Sequence, residues 1–150
     1  MVADTLSRER RSALMKRVKQ EHTAPELLVR KALHSRGLRY KVGDRKLPGR
    51  PDLSFPRYRV AIFVHGCFWH GHACRLGRPP TTNTDYWIPK IDANRKRDAR
   101  KTQALRDLGW RVFTLWQCEL GAADDGHFFD ALAAAIRAAP SLDGSTSVRR

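Results

Sequence analysis

Cysteine is scarce in this chain: three among 150 residues, an odd number that excludes a framework in which every thiol is paired as a disulfide. With no signal peptide at the N-terminus, the count predicts a reducing compartment such as the cytoplasm. Long apolar runs are missing too. The longest, Val60 to Val64, falls far short of the roughly 20 residues that a membrane span requires, so a soluble protein is expected. No repeat or low-complexity tract is present, and the length suits one compact domain able to bury its own core. Acidic residues are the other shortage, 15 Asp and Glu against 29 Lys and Arg, for a net charge of +14.

That charge is unevenly spread. Residues 1–50 hold 14 Lys and Arg against 5 Asp and Glu, residues 89–111 hold 8 against 3, and residues 121–150 hold 3 against 4. Two basic segments and a near-neutral tail are what a protein closing on a polyanion from two sides would show. Ribosomal or membrane-surface binding would give a similar composition. Nucleic acid is the leading partner.

The three thiols are placed tellingly. Cys67 and Cys74 bracket the segment CFWHGHAC, and Cys118 follows 44 residues later. Cys67, His72, Cys74 and Cys118 make one tetrahedral set of the kind structural Zn2+ takes, with no position left open for reaction. The competing reading is three unrelated buried thiols.

Periodicity predicts a basic helix over Arg8 to Lys19 with a thin apolar stripe. A second helix is capped by Thr23, carries Pro25 and Glu26 in its first turn, buries Leu27, Leu28, Ala32 and Leu33, and stops at Gly37. Strands are predicted at Tyr40 to Val42, Asp52 to Phe55 and Arg59 to His65, the last buried on both faces. Gly66 to Pro89 has no usable period and reads as a metal-organised loop. A basic helix follows from about Lys90 to Leu108, with Ile91, Ala104, Leu105 and Leu108 apolar and Gly109 as its stop. A strand over Trp110 to Trp116 leads to Cys118 just past its end, and a helix from about Asp124 to Ala138 leads to a frayed tail from Pro140. The expected fold class is α/β, a mixed central sheet flanked by helices. Residues 1–20 would form a DNA-contacting arm, 21–139 the main domain and 140–150 a flexible tail.

Outside the cysteine set, Asp52, His65, His70 and Asp98 stand out. Asp52 opens one predicted strand and His65 closes the next, so antiparallel pairing would bring both to one end of the sheet. A carboxylate suits Mg2+, and an imidazole can move a proton near neutral pH. Phosphodiester hydrolysis needs both. Asp52 could equally be a turn cap beside Pro51, the histidines satisfied polar groups at strand ends, and Asp98 a surface carboxylate among basic neighbours.

Four segments in order, LPGRPD at Leu47 to Asp52, FVHGCFWHGHAC at Phe63 to Cys74, YWIPKIDANRKRD at Tyr86 to Asp98 and GWRVFTLWQCEL at Gly109 to Leu120, closely resemble the very short patch repair endonucleases, which nick DNA at T:G mismatches. The resemblance runs from about Ser12 to Leu120. It implies a restriction-endonuclease-like core of the PD-(D/E)xK superfamily, with Asp52 and the carbonyl of Val64 holding Mg2+. His70 would then be the general base, His65 and Asp98 would orient water on the metal, and Glu26 would stand near the active centre. Cys67, His72, Cys74 and Cys118 are assigned to structural Zn2+. Phe68, Trp69 and Trp87 correspond to a wedge entering the base stack from the major groove. Lys90 and Asn94 resemble positions that approach the mismatched pair, and Arg8, Arg11, Lys16 and Arg17 become phosphate contacts from the minor-groove side. As core aromatics the three wedge residues would have a plainer explanation.

Two departures stand out: Val64 replaces a threonine, and Gln117 an acidic residue next to the last Zn2+ ligand. Beyond Leu120 no match is seen. The reading is thus a Mg2+-dependent, strand-specific endonuclease cutting 5′ of the thymine in T:G mismatches, acting as a monomer beside a cytosine-5 methyltransferase and mismatch-repair proteins. Rival readings are a zinc-stapled mismatch- or bent-DNA-binding module that does not cut, and an RNA-binding protein.

Overall fold

The computed structural model of the chain describes residues 23–79, 81–121 and 126–138; the helix expected over Arg8 to Lys19 and the tail from Pro140 lie outside them. The elements are α1 (Ala24–His34), β1 (Lys41–Val42), β2 (Leu53–Phe55), β3 (Val60–His65), a 3-10 turn (Arg75–Gly77), α2 (Thr84–Asp107), β4 (Arg111–Trp116), α3 (Gln117–Gly121) and α4 (His127–Arg137). No helix among the described residues is long and apolar enough to cross a membrane.

The four strands form one sheet in the order β1-β2-β3-β4. The first two pairings are antiparallel, and β3 pairs with β4 in parallel, from Val60 opposite Arg111 to His65 opposite Trp116. A parallel pair needs a crossover, which α2 supplies. Side chains along β3 alternate between two cores. Val60 and Ile62 pack with Val29, Leu33, Phe113, Leu115, Leu132 and Ile136, under α1 and α4. Ala61 and Phe63 pack with Leu105 and Val112, under α2. His65 continues the second series, so it faces α2. The expected burial of this strand on both faces holds.

Thr23 caps α1, its Oγ1 accepting from the Glu26 N–H at 3.4 Å. The buried stripe differs from the one expected: Glu26, Val29 and Leu33 are buried, whereas Leu27 and Leu28 are 50% and 42% exposed. Steps of three and four back from Leu33 reach Glu26, so the helix turns a carboxylate inward where leucine would ordinarily go.

Helix α2 begins at Thr84 rather than near Lys90, so Pro89 lies inside it. In the second turn a proline forfeits only the bond to Asp85, and burial of Trp87 and Ile91 holds the turns together. Its inward residues fall at Trp87, Ile91, Asn94, Asp98, Lys101 and Leu105, a 4-3-4-3-4 spacing. The stripe is apolar at both ends and polar in the middle. Leu108, expected to be apolar and inward, is 54% exposed beyond the helix's last turn. Cys118 lies within the short α3 rather than in irregular chain, and the last helix starts at His127, Asp124 being outside the described residues.

Candidate active site and metal centre

Polar side chains from four elements converge at the His65 end of the sheet. Strand β2 starts only at Leu53, opposite Ile62, because Pro51 has no N–H to extend the ladder. The Asp52 carboxylate takes over, accepting the Val64 N–H at 2.7 Å. In an antiparallel ladder one residue's N–H and C=O face the same neighbour, so the Val64 carbonyl opens toward Asp52 as well. Burial pushes the Asp52 carboxyl from its ordinary 3.8 up to about 6; the Val64 N–H opposes this and the nearby charge of Glu26 adds to it. Glu26 itself is paired with Arg30 at 3.3 Å. A buried and a half-buried carboxylate in each other's field, beside an inward-opening carbonyl, form a hard-oxygen set that a divalent cation would relieve.

His65, His70 and Asp98 form a second cluster, with ligand-capable atoms all within 4.8 Å of one another. Asp98 lies seven residues from both Ile91 and Leu105, which puts it on the inner face of α2 opposite His65. Its Oδ2 sits 2.5 Å from Nδ1 of His70, and its Oδ1 3.9 Å from Nε2 of His65. An ionised carboxylate only accepts, so Nδ1 of His70 carries the proton and Nε2 is left as the basic nitrogen. Burial alone would raise Asp98, but the bond from His70 and the charge of His65 hold it below the usual carboxylate range. The two imidazoles stack at 3.8 Å and 4°. Burial, reinforced by His70, lowers His65 to about 4, leaving it neutral at physiological pH. Lys101 adds a positive field to both His65 and Asp98. Its stem fits against Gly49 of the LPGRPD turn, where φ is +74° and a Cβ would come within 2.6 Å of Lys101 Cβ.

The cysteine cluster is separate. Cys67, His72, Cys74 and Cys118 present four ligand atoms within 4.8 Å of one another. Cys118 Sγ lies 3.5 Å from His72 Nδ1. That matches the edge of about 3.5 Å expected for a tetrahedron with metal–sulfur and metal–nitrogen bonds of about 2.3 and 2.05 Å. The Cys118 N–H donates to Cys67 Sγ at 3.4 Å. Burial pushes the Cys67 thiol up to about 12, so holding a thiolate there needs a cation. These residues can hold one closed, four-coordinate metal ion. His70 and His72 fall in different clusters.

The aromatics form a third feature. Phe68, Trp69 and Trp87 meet edge to face, with centroids 5.2 to 5.7 Å apart. They are not alike: Trp87 is 7% exposed, whereas Phe68 and Trp69 are half-buried. Trp87 is the anchor on which the other two rest. Asn94 donates to the Trp69 carbonyl at 2.9 Å and so fixes the loop. Lys90 donates to the Tyr86 hydroxyl at 3.1 Å and lies 5.3 to 5.9 Å from the rings of Tyr86, Trp69 and Trp87.

Four contributors escaped the sequence reading. Trp116 packs flat on His72 at 4.1 Å and edge-on to His65 at 5.1 Å, joining the two centres. Gly77 closes the metal loop, its N–H donating to the Cys74 carbonyl at 3.1 Å. Arg30 and Lys101 set the local charge. Gln117 is exposed. The expected phosphate contacts Arg8, Arg11, Lys16 and Arg17 lie outside the described residues.

Comparison with known proteins places the chain among DNA endonucleases. The family model described as DNA mismatch endonuclease Vsr matches residues 3–76. Over 119 residues the chain is 55% identical to the Type II nicking enzyme V.XorIIP of Xanthomonas oryzae pv. oryzae, covering 79% of this chain and 88% of that one. It is 43% identical, also over 119 residues, to the DNA mismatch endonuclease Vsr of Escherichia coli, covering 79% and 76%. A third relative, the Type II nicking enzyme V.NmeAIP of Neisseria meningitidis, is 40% identical across 79% of this chain and 85% of its own. The protein is therefore a nuclease that acts on DNA, and a module that only binds is set aside. It belongs to the Vsr family of DNA mismatch endonucleases.

Proposed function

We propose that the chain is a Mg2+-dependent, strand-specific endonuclease that recognises a T:G mismatch left by deamination of 5-methylcytosine and nicks 5′ of the thymine. The observation that carries this reading is the His70–Asp98 pair stacked on His65, at the same sheet end as Asp52 and on the same loop as the aromatic cluster. Asp52 and the Val64 carbonyl would hold Mg2+, which supplies positive charge for the phosphate oxygens. His70, with its proton fixed on Nδ1 by Asp98, presents Nε2 to take a proton from the attacking water. Neutral His65 holds the His70 ring in plane by stacking. Glu26 keeps the pocket negative, and its pairing with Arg30 limits that charge. The fold would be restriction-endonuclease-like, with the usual lysine of the third strand replaced by these imidazoles.

Zn2+ is the ion that suits three thiolates and one imidazole in a closed set. Phe68 and Trp69, resting on Trp87, would replace stacking at the mismatched step, where unpairing costs least. Lys90 and Asn94 would face the mismatched pair. The substrate is double-stranded DNA, the setting is the bacterial cytoplasm at the nucleoid, and a cytosine-5 methyltransferase and mismatch-repair proteins would be functional neighbours of a monomeric enzyme.

The test is nicking of strand-labelled T:G, T:A and C:G duplexes in Mg2+. Wild type should cut only the thymine strand of T:G. His70→Ala should lose about 10²- to 10⁴-fold in rate yet bind the mismatch as before. Wild type that cuts all three duplexes alike, or a His70→Ala variant that cuts normally, would overturn the reading. Trp69→Ala should lower discrimination of T:G over T:A in binding, because it removes stacking worth about 1–3 kcal/mol per base. Undiminished discrimination would make Trp69 a packing residue.

A further inference from the structure

At the other end of the sheet from His65, where β3 and β4 begin, the surface opens into a cleft of about 300 Å³. Arg57, Arg59, Arg111 and Arg137 line it together with Tyr58 and Gly109, and among the described residues no carboxylate does. None of the four arginines forms an ion pair among the described residues. A guanidinium cannot shed its proton, so the four repel one another until an anion sits between them.

The cleft is built rather than incidental. Arg111 is fixed by donating to the carbonyls of Ala135 at 3.0 Å and Ile136 at 2.8 Å, while its Nε is buried with no hydrogen-bond partner. Arg137 donates to the carbonyl of Arg36. Arg57 lies over the Tyr58 ring at 5.5 Å. Arg59 holds φ at +52°, a left-handed conformation that arginine rarely adopts, and a Cβ on Gly109 would come 3.3 Å from its Nη1. Arg57 and Arg59 are exposed.

We propose that this cleft is a second DNA-backbone site, which takes a phosphodiester of a duplex segment other than the one held at the reaction centre. Planar, bidentate guanidinium groups match phosphate oxygens. The six residues of β3 put about 17 Å between the two ends of the sheet. The cleft therefore lies at the opposite end of the strand from the reaction centre, where a second segment of duplex can be offered to it. With +14 net charge on a DNA-acting enzyme, phosphate is the anion it meets at highest local concentration. Two sites on opposite ends let the enzyme grip a new segment before it releases the old one, which speeds the search for a rare lesion.

The test follows release of wild type from a fluorescent, mismatch-free duplex while unlabelled duplex is raised. Release should quicken at least about threefold as the competitor increases, because direct transfer adds to simple dissociation. Arg57→Ala combined with Arg59→Asn, asparagine being tolerant of the left-handed backbone, should make release indifferent to the competitor. That variant should melt as wild type does and nick a short T:G duplex at an unchanged rate. Should it fail to fold, Arg57→Glu alone, which alters only an exposed side chain, should halve the transfer component or better. Wild-type release that ignores the competitor overturns the proposal, as does a folded double variant that transfers like wild type. Polyglutamate quickening release as duplex does, with the effect lost in the variant, would assign the cleft to an acidic protein segment instead.

Discussion

Asp52→Asn will cost at least about a thousandfold in nicking and, with Mg2+ omitted, will leave the folded chain more stable at pH 7 than wild type. Asparagine keeps an oxygen to accept the Val64 N–H but carries no charge. In the wild type, the folded carboxyl has its pKa raised from 3.8 to about 6, so the folded chain binds that proton more tightly than the unfolded one. Its contribution is therefore intact below pH 3.8 and is lost as pH rises toward about 6. His65 acts in the opposite sense: with its folded value lowered from 6.5 to about 4, stability rises with pH across that window. The two slopes oppose each other in wild type, and the substitution leaves only the rising one. A gain of about 1–3 kcal/mol at pH 7 is expected, with a curve that climbs from pH 4 to 6.5. Urea unfolding between pH 4 and 8, in buffer free of Mg2+ and chelator so that the cysteine cluster keeps its ion, measures it. A variant less stable than wild type would show that burying this charge costs nothing.

Gly77→Ala should destroy the metal loop. A Cβ at Gly77 would lie 2.0 Å from the His72 carbonyl oxygen and 3.0 Å from that of Cys67. Both obstacles are backbone, and both belong to residues whose side chains enter the metal cluster, so relief of the clash displaces two ligands together. Elemental analysis should fall from about one Zn2+ per chain to a trace, and stability by at least about 3 kcal/mol. Cys118→Ser removes one ligand without touching the loop backbone and should also shed metal. Normal metal content in the alanine variant would mean that the loop takes another course, and normal content in the serine variant would remove Cys118 from the set.

The parts of the fold that could be read in the sequence were those where local pattern and environment agree. The aliphatic run of β3, the Thr23 cap and the Gly109 stop all have short-range causes. The errors fall where the site inverts the usual preference. Glu26 occupies an inward position of α1, so the pattern pointed to Leu27 and Leu28. The start of α2 was hidden because its inner stripe passes through Asn94, Asp98 and Lys101, which weakens any apolar period, and because Pro89 looks like a boundary.

The cysteine cluster was legible by counting, since three thiols and one spacing leave few alternatives. The candidate nuclease residues were brought forward by resemblance more than by chemistry. Strand parity does link Phe63 to His65, and helix spacing links Ile91 to Asp98 and Leu105, but neither says that the two faces meet. Trp116 and Gly77 had no signal at all, because their roles depend on how a long loop closes.

The indole of Trp116 touches two imidazoles, His72 among the cysteines and His65 in the cluster with His70 and Asp98. Displacing His72 from the cysteine cluster would remove the flat surface on which this ring rests and, through the ring, loosen an edge-on contact of His65. The two clusters thus share one aromatic wall, and a change in either reaches the other through a single indole.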